Sequence, residues 1–235
     1  MPTKHSKRFK KALELVNGKN SYSLKAAVEV LAKFPKAKFN ETVEVAFKLG
    51  VDPKQSDQMV RGTVPLPHGS GKTVKVLVFA RNGAAADAAK AAGAEFVGYE
   101  EMIKKCVEGW TDFDVAIATP EAMVEVRKLG KVLGPRGLMP NPKTGTVTED
   151  TAKAVREVKA GRVEFKLDKA GNVHVPIGKA SFTVEQIAEN ARAVIEAVAK
   201  ARPASVKGSY LESCTLSATM SPALRIDIRE FLAAA

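Results

Sequence analysis

The hydrophobic pattern in the middle of the chain differs from the pattern at both ends. Nearly continuous apolar runs typical of buried strands alternate there with helix-like stretches, at residues 73–80, 84–92, 95–98, 99–109, 114–119 and 120–130. Strands that are covered on both faces are almost continuously apolar, and strand–helix alternation requires right-handed crossovers between parallel strands. The middle therefore predicts a small Rossmann-like, three-layer α/β unit.

The two ends instead show the period-two alternation of half-buried strands. Residues 41–50, 207–220 and 225–228 each predict one strand, and residues 162–178 alternate around the turn KAGN, which predicts a hairpin. A long helix follows the hairpin, with its apolar residues on one face. The ends therefore predict an α+β domain, an antiparallel sheet with helices on one side in a split βαβ-like arrangement.

Residues with defined roles at helix ends predict where several helices begin or stop. Asn82 is placed to cap the helix at 84–92, and Pro120 to occupy the first position of the helix at 120–130. Thr183 and Gln186 have the spacing of a capping box. Pro203 is expected to end the long helix that this box begins.

Because units of two classes alternate along the chain, the simplest arrangement is a discontinuous domain that carries an insertion. We expect residues 1–68 and 160–235 to form the α+β domain and residues 69–159 to form the inserted α/β domain. The crossings contain proline and glycine, in PLPHGSG on the way in and KAG on the way out. We expect these crossings to let the domains move, which small-angle scattering of one rigid shape would contradict.

Positive charge is concentrated in the predicted discontinuous domain. The chain has a net charge of +11, and its sequence pI is about 9.6. The two ends contain 23 Lys and Arg against 14 Asp and Glu, whereas residues 69–159 contain 14 against 12. This distribution favours a polyanionic partner for the ends, the alternative being a basic soluble protein without one.

Other general features indicate a protein of the reducing cytosol. No apolar run approaches the roughly 20 residues of a membrane span, and the basic start has no apolar core of a secretion signal. Cys106 and Cys214 are far apart in sequence, which suits two free thiols better than a disulfide framework. We expect no membrane partner and a monomer in the free state.

The stretch PLPHGSGKT, residues 65–73, resembles the end of a phosphate-binding loop. Leu66 stands where the motif G-x-x-x-x-G-K-[ST] has its first glycine, and a strand-like run follows where the motif needs a helix. The interpretation as a junction between domains is therefore favoured. A nucleotide-dependent enzyme on the inserted domain stays as the alternative, to be tested by equilibrium dialysis with ATP and NAD.

Candidate catalytic and metal-binding groups are sparse. His5, His68 and His174 have no metal-ligand spacing, and Asp112 and Asp114 are more simply explained as solvated residues than as catalytic acids. We expect no enzyme activity, no metal and no cofactor.

Residues 131–148, KVLGPRGLMPNPKTGTVT, combine prolines and glycines with two apolar residues. The prolines and glycines disfavour a regular helix or central strand, while Leu138 and Met139 are too apolar for a free linker. We expect a fixed irregular path that displays Arg136 and Lys143. Both a structural connection and a loop that contacts an anion are compatible with this pattern.

The segments KVLGPRGLMPNPKTGTV, FNETVEVAFKLGVDPKQSDQMVRGTVPLPHGSGK and GNVHVPIGKASF closely resemble the bacterial ribosomal proteins of the L-one family of the large subunit. The resemblance extends from about residue 5 to about residue 230. It implies a cytoplasmic protein of the mobile stalk beside the tRNA exit site, with no enzyme activity. The implied partners are large-subunit rRNA, exit-site tRNA during release of deacylated tRNA, and the mRNA of its own operon, whose translation it represses. A regulator that binds mRNA alone is a further alternative.

The resemblance also implies which residues contact rRNA. They are Lys38, Phe39, Thr42, His174, Lys179, Ser213, Thr219 and Met220. The residues themselves support part of this set.

Lys36 and Lys38 stand just before Phe39, a combination of cations and an aromatic ring that suits phosphate and ribose. Ser213 and Ser217 share one strand face with Thr219, where their hydroxyls can reach 2′-hydroxyl and phosphate groups. Core packing of Phe39 and a hydrated sheet face for the hydroxyls are the alternatives.

One position departs from the family pattern. The family usually has Gly-Pro after Thr-Met, whereas this chain has Ser221-Pro222. The substitution leaves open how closely the backbone of this turn approaches RNA.

Overall fold

The structure is a computed structural model that describes residues 5–16, 21–81 and 83–232. The chain divides into two compact units, a discontinuous unit of residues 1–71 and 163–235 and an inserted unit of residues 72–162. The predicted domain boundaries lie at 68/69 and 159/160. That the domains so bounded fold independently remains a prediction. The chain is a mixed α/β protein with antiparallel and parallel sheets.

The strands of the two units, in chain order, are β1 (Thr42–Leu49), β2 (Arg61–Pro65), β3 (Val76–Phe79), β4 (Phe96–Gly98), β5 (Val115–Ala118), β6 (Arg162–Lys166), β7 (Asn172–Lys179), β8 (Leu211–Ala218) and β9 (Leu224–Ile226). The helices are α1 (Lys7–Leu15), α2 (Leu24–Ala32), α3 (Ala84–Ala91), α4 (Glu100–Val107), α5 (Met123–Val126), α6 (Gly130–Leu133), α7 (Thr151–Lys159), α8 (Val184–Lys200) and α9 (Arg229–Leu232). Short 3₁₀ turns lie at Ser56–Gln58, Arg127–Leu129 and Pro142–Thr144. None of the helices in the described ranges is long and apolar enough to cross a bilayer.

The main sheet of the discontinuous unit has the strand order β7-β1-β8-β9. β1 pairs antiparallel with both β7 and β8, so these two strands run parallel to each other with β1 between them. Because α8 connects β7 to β8, the three elements form a strand–helix–strand unit split by β1. Along β1 the side chains of Val43, Val45, Phe47 and Leu49 are buried and their neighbours are half-buried, which confirms the predicted alternation.

Helices α2 and α8 cover one face of this sheet. Residues from both helices share one apolar core with the buried side of β1. α8 begins with the predicted capping box, in which the Thr183 hydroxyl accepts from the Gln186 amide and the Gln186 side chain accepts from the Thr183 amide. The predicted apolar face of α8 is buried, at Ile187, Ala191, Val194, Ile195 and Val198.

The predicted hairpin at residues 162–178 is wrong. β6 pairs with β2 in a separate two-stranded sheet, whereas β7 pairs with β1. The turn itself is present, because the Asp168 carboxylate accepts hydrogen bonds from the backbone amides of Ala170 and Asn172 at 2.8 and 2.7 Å. The local hydrogen bonds form the turn, but the strands on either side of it pair with strands that are distant in the sequence.

The inserted unit contains a parallel sheet with the order β4-β3-β5, as the strand–helix alternation predicts. Successive side chains of β3 enter two different cores. Leu77 and Phe79 pack in a cluster with α4, α5 and α6, while Val76 and Val78 pack in a second cluster with α3 and α7. The sheet is therefore covered on both faces, which explains why the sequence of β3 is continuously apolar.

The helices of the inserted unit depart from the sequence prediction in three places. The helix expected at 120–130 is divided into α5, a 3₁₀ turn and α6; it begins at Met123 rather than Pro120, and α6 extends to Leu133, inside the segment expected to lack helix. The sequence prediction did not include α7, although the Asp150 side chain caps this helix by accepting from the Lys153 amide. Asn82 lies outside the described residues, and Gly83 is the N-cap of α3.

Candidate nucleic-acid interface

The face of the main sheet opposite α2 and α8, here called the open face, is polar and basic. Period-two alternation and strand pairing place twelve half-buried or exposed residues on it, namely Thr42, Glu44, Ala46, Lys48, Asn172, His174, Pro176, Lys179, Ser213, Thr215, Ser217 and Arg225. This face includes three Lys or Arg side chains and one carboxylate. A sheet with one covered face leaves its other face free to bind a ligand.

A row of hydroxyls runs along β8 on this face. Ser213, Thr215 and Ser217 are half-buried, whereas Cys214 and Leu216 between them are buried in the core. The sequence reasoning identified Ser213 and Ser217 but missed Thr215, although the same alternation contains it. The row therefore presents three regularly spaced hydroxyls.

Basic and imidazole groups flank this row on neighbouring strands. His174 is exposed and lies opposite Ala46, whose other cross-strand partner is Thr215. On the far side of β8, Thr215 pairs with the exposed Arg225. Across four strands the open face thus carries imidazole, methyl, hydroxyl and guanidinium groups in one line.

A β-bulge turns Lys179 towards the open face. The register of β7 against β1 shifts after Pro176, so that Ile177 and Gly178 are both buried and Lys179 pairs with Thr42. Glycine at 178 suits this bulge, because a Cβ there would approach the Phe182 ring to 2.9 Å. Without the extra residue, alternation would point Lys179 into the core.

Three chain segments meet at one corner of the sheet, beside the start of β1. This sheet corner consists of residues 36–42, 179–181 and 218–221. Hydrogen bonds join its segments. The Lys36 ammonium donates to the Ala180 carbonyl at 3.4 Å, and the Asn40 amide donates to the Ser181 hydroxyl at 3.1 Å. The corner thus holds residues that are more than 140 positions apart in the chain.

Two large apolar side chains at the sheet corner are exposed rather than buried. Phe39 and Met220 are each 54% exposed. Core packing of Phe39 is therefore excluded. An exposed phenyl ring beside the exposed Lys38 provides a surface on which a base or ribose can stack.

Hydrogen bonds fix the predicted threonines and Lys179 relative to one another. The Thr219 hydroxyl accepts from the Thr42 amide at 3.0 Å and donates to the Thr42 carbonyl at 3.2 Å. The Lys179 ammonium donates to the Thr42 hydroxyl at 2.7 Å. Three of the predicted contact residues therefore form one connected group.

Ser221, where the family usually has glycine, is accommodated without a left-handed backbone. All described residues with positive φ are glycines. The Ser221 hydroxyl accepts from the Ala218 amide at 2.9 Å, and the Ser221 amide donates to the Ala218 carbonyl at 3.0 Å. The serine thus closes the turn that displays Thr219 and Met220.

The loop of the inserted unit follows a fixed path, as the sequence predicts. Leu138 and Met139 pack against the core formed with α4, α5 and α6. Arg136 is exposed and donates to the Thr111 hydroxyl, and Lys143 is exposed on the 3₁₀ turn at Pro142–Thr144. These two cations belong to the inserted unit, so they are not part of the sheet corner.

The structure gives no support to a phosphate loop at residues 65–73. Gly71 and Lys72 lead into the strand β3 instead of a helix, and Lys72 pairs with Asp114. The hydrogen bond from Lys72, together with the amide of Lys75, lowers the pKa of the Asp114 carboxyl below its ordinary value. Asp112 pairs with Lys75 at 2.8 Å, so both candidate acids are ion-pair partners.

The first half of the same stretch is anchored rather than loose. Leu66 is buried, and the buried Asn190 of α8 accepts from the His68 amide and donates to the Gly69 carbonyl. Within the described part of the chain, no cluster of three His, Cys, Asp or Glu side chains could hold a metal ion.

A model of the Ribosomal protein L1p/L10e family matches residues 31–222. The chain belongs to this family. Its members are structural proteins of the large ribosomal subunit in the cytoplasm, RNA-binding and not enzymes. The matched range contains every residue predicted above to contact RNA, from Lys36 to Met220.

The sequence reasoning did not name two basic residues of the open face as contact residues. Lys48 and Arg225 join it through strand register, since Lys48 lies opposite Ser213 and Arg225 opposite Thr215. Lys48 lies on the polar face of the alternating run 41–50 and Arg225 begins the strand predicted at 225–228, but neither was named as a contact residue. Strand pairing, which sequence patterns do not determine, was the missing information.

Proposed function

We propose that this ribosomal protein binds large-subunit rRNA, at the mobile stalk, through its sheet corner and open face. The observation that carries the proposal is the convergence of Lys38, Phe39, Thr42, Lys179 and Thr219 from three distant segments on one exposed corner. We assign the RNA-binding role to the discontinuous domain, residues 1–68 and 160–235, in a protein that is monomeric when free.

Each class of side chain has a distinct task in this proposal. Lys36, Lys38 and Lys179 neutralise phosphates, which supplies affinity without sequence selectivity. The exposed ring of Phe39 and the thioether of Met220 cover a ribose or an unstacked base. The hydroxyls of β8 recognise 2′-hydroxyl groups, which distinguishes RNA from DNA.

The open face adds shape selectivity to these contacts. It is a pleated surface four strands wide, edged by His174 on β7 and by Arg225 on β9. Such a surface fits the backbone of a folded RNA better than it fits one extended strand. We expect Arg136 and Lys143 on the inserted unit to form a secondary RNA contact.

The likeness to the family supports two further roles. We propose that the protein takes part in release of deacylated tRNA from the exit site and represses translation of its own operon mRNA. If the mRNA presents an rRNA-like structure, both RNAs must occupy the same sheet corner. The two should therefore compete for the protein, and co-sedimentation with large subunits distinguishes a ribosomal component from a regulator of mRNA alone.

The test is a filter-binding titration of the protein with a large-subunit rRNA fragment over a range of salt concentrations. If about six phosphates are neutralised, log affinity falls with log salt at a slope of several units. Thr219→Ala removes two hydrogen bonds to Thr42 and is expected to weaken binding about tenfold, with the fold retained.

The matched control is Thr73→Ala, which removes an exposed hydroxyl from the inserted unit. We expect its affinity to lie within about twofold of the unchanged protein. Wild-type affinity in Thr219→Ala, or affinity independent of salt, would contradict the proposed surface.

A further inference from the structure

Glu41 is a buried carboxylate at the sheet corner, directly before β1. Its side chain belongs to a residue that is only 4% exposed, among the few buried polar residues in the described part of the chain. Burying a carboxylate is unfavourable unless it is paired and hydrogen-bonded. A charge kept at such a position, beside a proposed RNA-binding surface, requires an explanation.

The hydrogen bonds of Glu41 connect two segments of the sheet corner. One carboxylate oxygen accepts from the Ala37 amide at 3.4 Å, which ties it to the segment that carries Lys36, Lys38 and Phe39. Its backbone carbonyl accepts from the Ala180 amide at 2.8 Å, beside Lys179. Glu41 therefore lies between segments that supply different contact residues.

Arg8 of α1 completes the arrangement by bonding to Glu41 and to the third segment. One guanidinium nitrogen lies 3.3 Å from the Glu41 carboxylate, and the other donates to the Met220 carbonyl at 3.2 Å. The planar fork of arginine can bond to two acceptors at once, which the single ammonium of lysine does less well. Arg8 thereby links the turn that displays Thr219 to the buried carboxylate.

The helix that carries Arg8 is itself fixed. The Ser6 hydroxyl caps α1 by accepting from the Phe9 amide, and Ala12, one helical turn after Arg8, is buried in the main core. Arg8 therefore projects from an anchored helix.

We propose that Arg8 and Glu41 are a positioning pair that holds the three segments of the sheet corner in the geometry that RNA requires. The inference rests on the proposed function and deepens it, since neither residue needs to touch RNA. The groups of a binding site must be held within about half an ångström of the geometry that binds the ligand. At the sheet corner, the ion pair between Arg8 of α1 and Glu41 provides this support.

Glu41→Gln gives the sharpest test because the change in charge and the loss of positioning predict opposite changes in RNA affinity. The substitution keeps the shape of the side chain and makes the protein more positive by one unit. Electrostatic attraction alone would then strengthen RNA binding. Loss of positioning is expected to weaken binding of the large-subunit rRNA fragment about tenfold. Tighter or unchanged binding would overturn the proposal.

Arg8→Lys provides the second test, since it keeps the charge and removes the fork. We expect its affinity to be reduced about as much as that of Arg8→Ala, within roughly threefold. The control is Lys10→Ala, an exposed lysine about 200° further round the same helix, whose loss should change affinity less than twofold. Full affinity in Arg8→Lys would mean that Arg8 acts through charge alone and would overturn the proposal.

A double-mutant cycle separates positioning from a general loss of structure. If Glu41 acts through the corner, Glu41→Gln should weaken binding much less in a Phe39→Ala background than in the unchanged protein. Additive effects would contradict the inference, and thermal unfolding of each variant shows whether the fold is retained. Wild-type affinity in both Phe39→Ala and Thr219→Ala would refute the proposed surface itself. Weak binding in those variants with wild-type affinity in Glu41→Gln would refute the positioning role alone.

Discussion

The main sheet of the discontinuous unit and the parallel sheet of the inserted unit use their faces in opposite ways. Along β1, buried residues alternate with half-buried ones, whereas every residue of β3 from Val76 to Phe79 is buried. The first sheet has helices on one face, and the second has helices on both. A sheet covered twice can offer a ligand only its edges, while a sheet covered once keeps a whole face available.

Charge follows the same division. The predicted discontinuous domain has nine more cationic than anionic side chains, 23 against 14, and the inserted domain has two more, 14 against 12. Excess positive charge therefore accompanies the sheet that has a free face. This coincidence of geometry and charge is the physical basis for assigning RNA binding to the discontinuous domain.

The largest expected effect concerns the stability of the two sheets. Leu77→Ala should destabilise the inserted unit by roughly 2–5 kcal/mol and its neighbour Val78→Ala by at least about 1.5 kcal/mol, because each side chain fills a different core. On β1, Phe47→Ala should cost roughly 3–5 kcal/mol, but Glu44→Ala less than about 0.5 kcal/mol. Urea unfolding measures all four.

The outcome that would remove this contrast is a Val78→Ala variant as stable as Glu44→Ala. In that case β3 would be buried on one face only. The two sheets would then have the same architecture.

A smaller effect is expected for exposed apolar side chains, and it concerns affinity. Phe39→Ala at the sheet corner should weaken binding of the rRNA fragment about 5- to 150-fold, since stacking on an aromatic ring contributes about 1–3 kcal/mol. Because Phe39 is 54% exposed, the free energy of unfolding should barely change. Val124→Ala, at a residue 67% exposed on the inserted unit, is the matched control and should change affinity less than twofold.

If Val124→Ala weakened binding as much as Phe39→Ala, the assignment to the sheet corner would be wrong. Filter binding at one salt concentration is sufficient to compare them.

The smallest effect concerns two aspartates, one in each unit, whose pKa is lowered by different means. The Asp114 pKa is lowered first by the hydrogen bond from Lys72, and the Asp168 pKa first by the backbone amide of Asn172. A lowered folded-state pKa stabilises the protein above the ordinary value of 3.8, and this stabilisation is lost as pH falls through the folded-state value. Asp114→Asn and Asp168→Asn should therefore each lose less stability than the unchanged protein between about pH 5 and pH 2.

Salt should affect the contributions of the two aspartates to stability differently. The ion pair of Asp114 is partly exposed, so high salt should shrink the difference between Asp114→Asn and the unchanged protein. The difference for Asp168→Asn should shrink less, because the largest cause of its lowered pKa is a backbone amide, which carries no net charge, and the charge of His174 contributes least. Equal salt sensitivity in urea titrations at low pH would contradict this distinction.

The sequence patterns predicted several features that depend on neighbouring residues, and they missed features that depend on how the strands pair. The alternation of β1 and the capping box of Thr183 and Gln186 were predicted because they are local patterns. The hairpin at 162–178 was wrong because a good turn does not determine the partners of the strands beside it. The α7 helix was overlooked even though its cap at Asp150 is a local signal.

The same distinction holds for the candidate site. The hydroxyl row of β8 follows from local sequence, apart from the overlooked Thr215, whereas local sequence left Phe39 open between stacking and core packing. The orientation of Lys179 depends on a bulge that only the pairing with β1 reveals. The pair of Arg8 and Glu41 joins residues 33 positions apart, and no sequence pattern connects them.

Crosslinking of the whole protein to large-subunit rRNA, followed by mass spectrometry of the attached peptides, tests where the RNA lies. We expect the main crosslinks in residues 36–42, 174–179 and 213–220, with weaker ones near Arg136 and Lys143. Crosslinks confined to residues 72–162 would show that the open face of the main sheet does not hold the RNA.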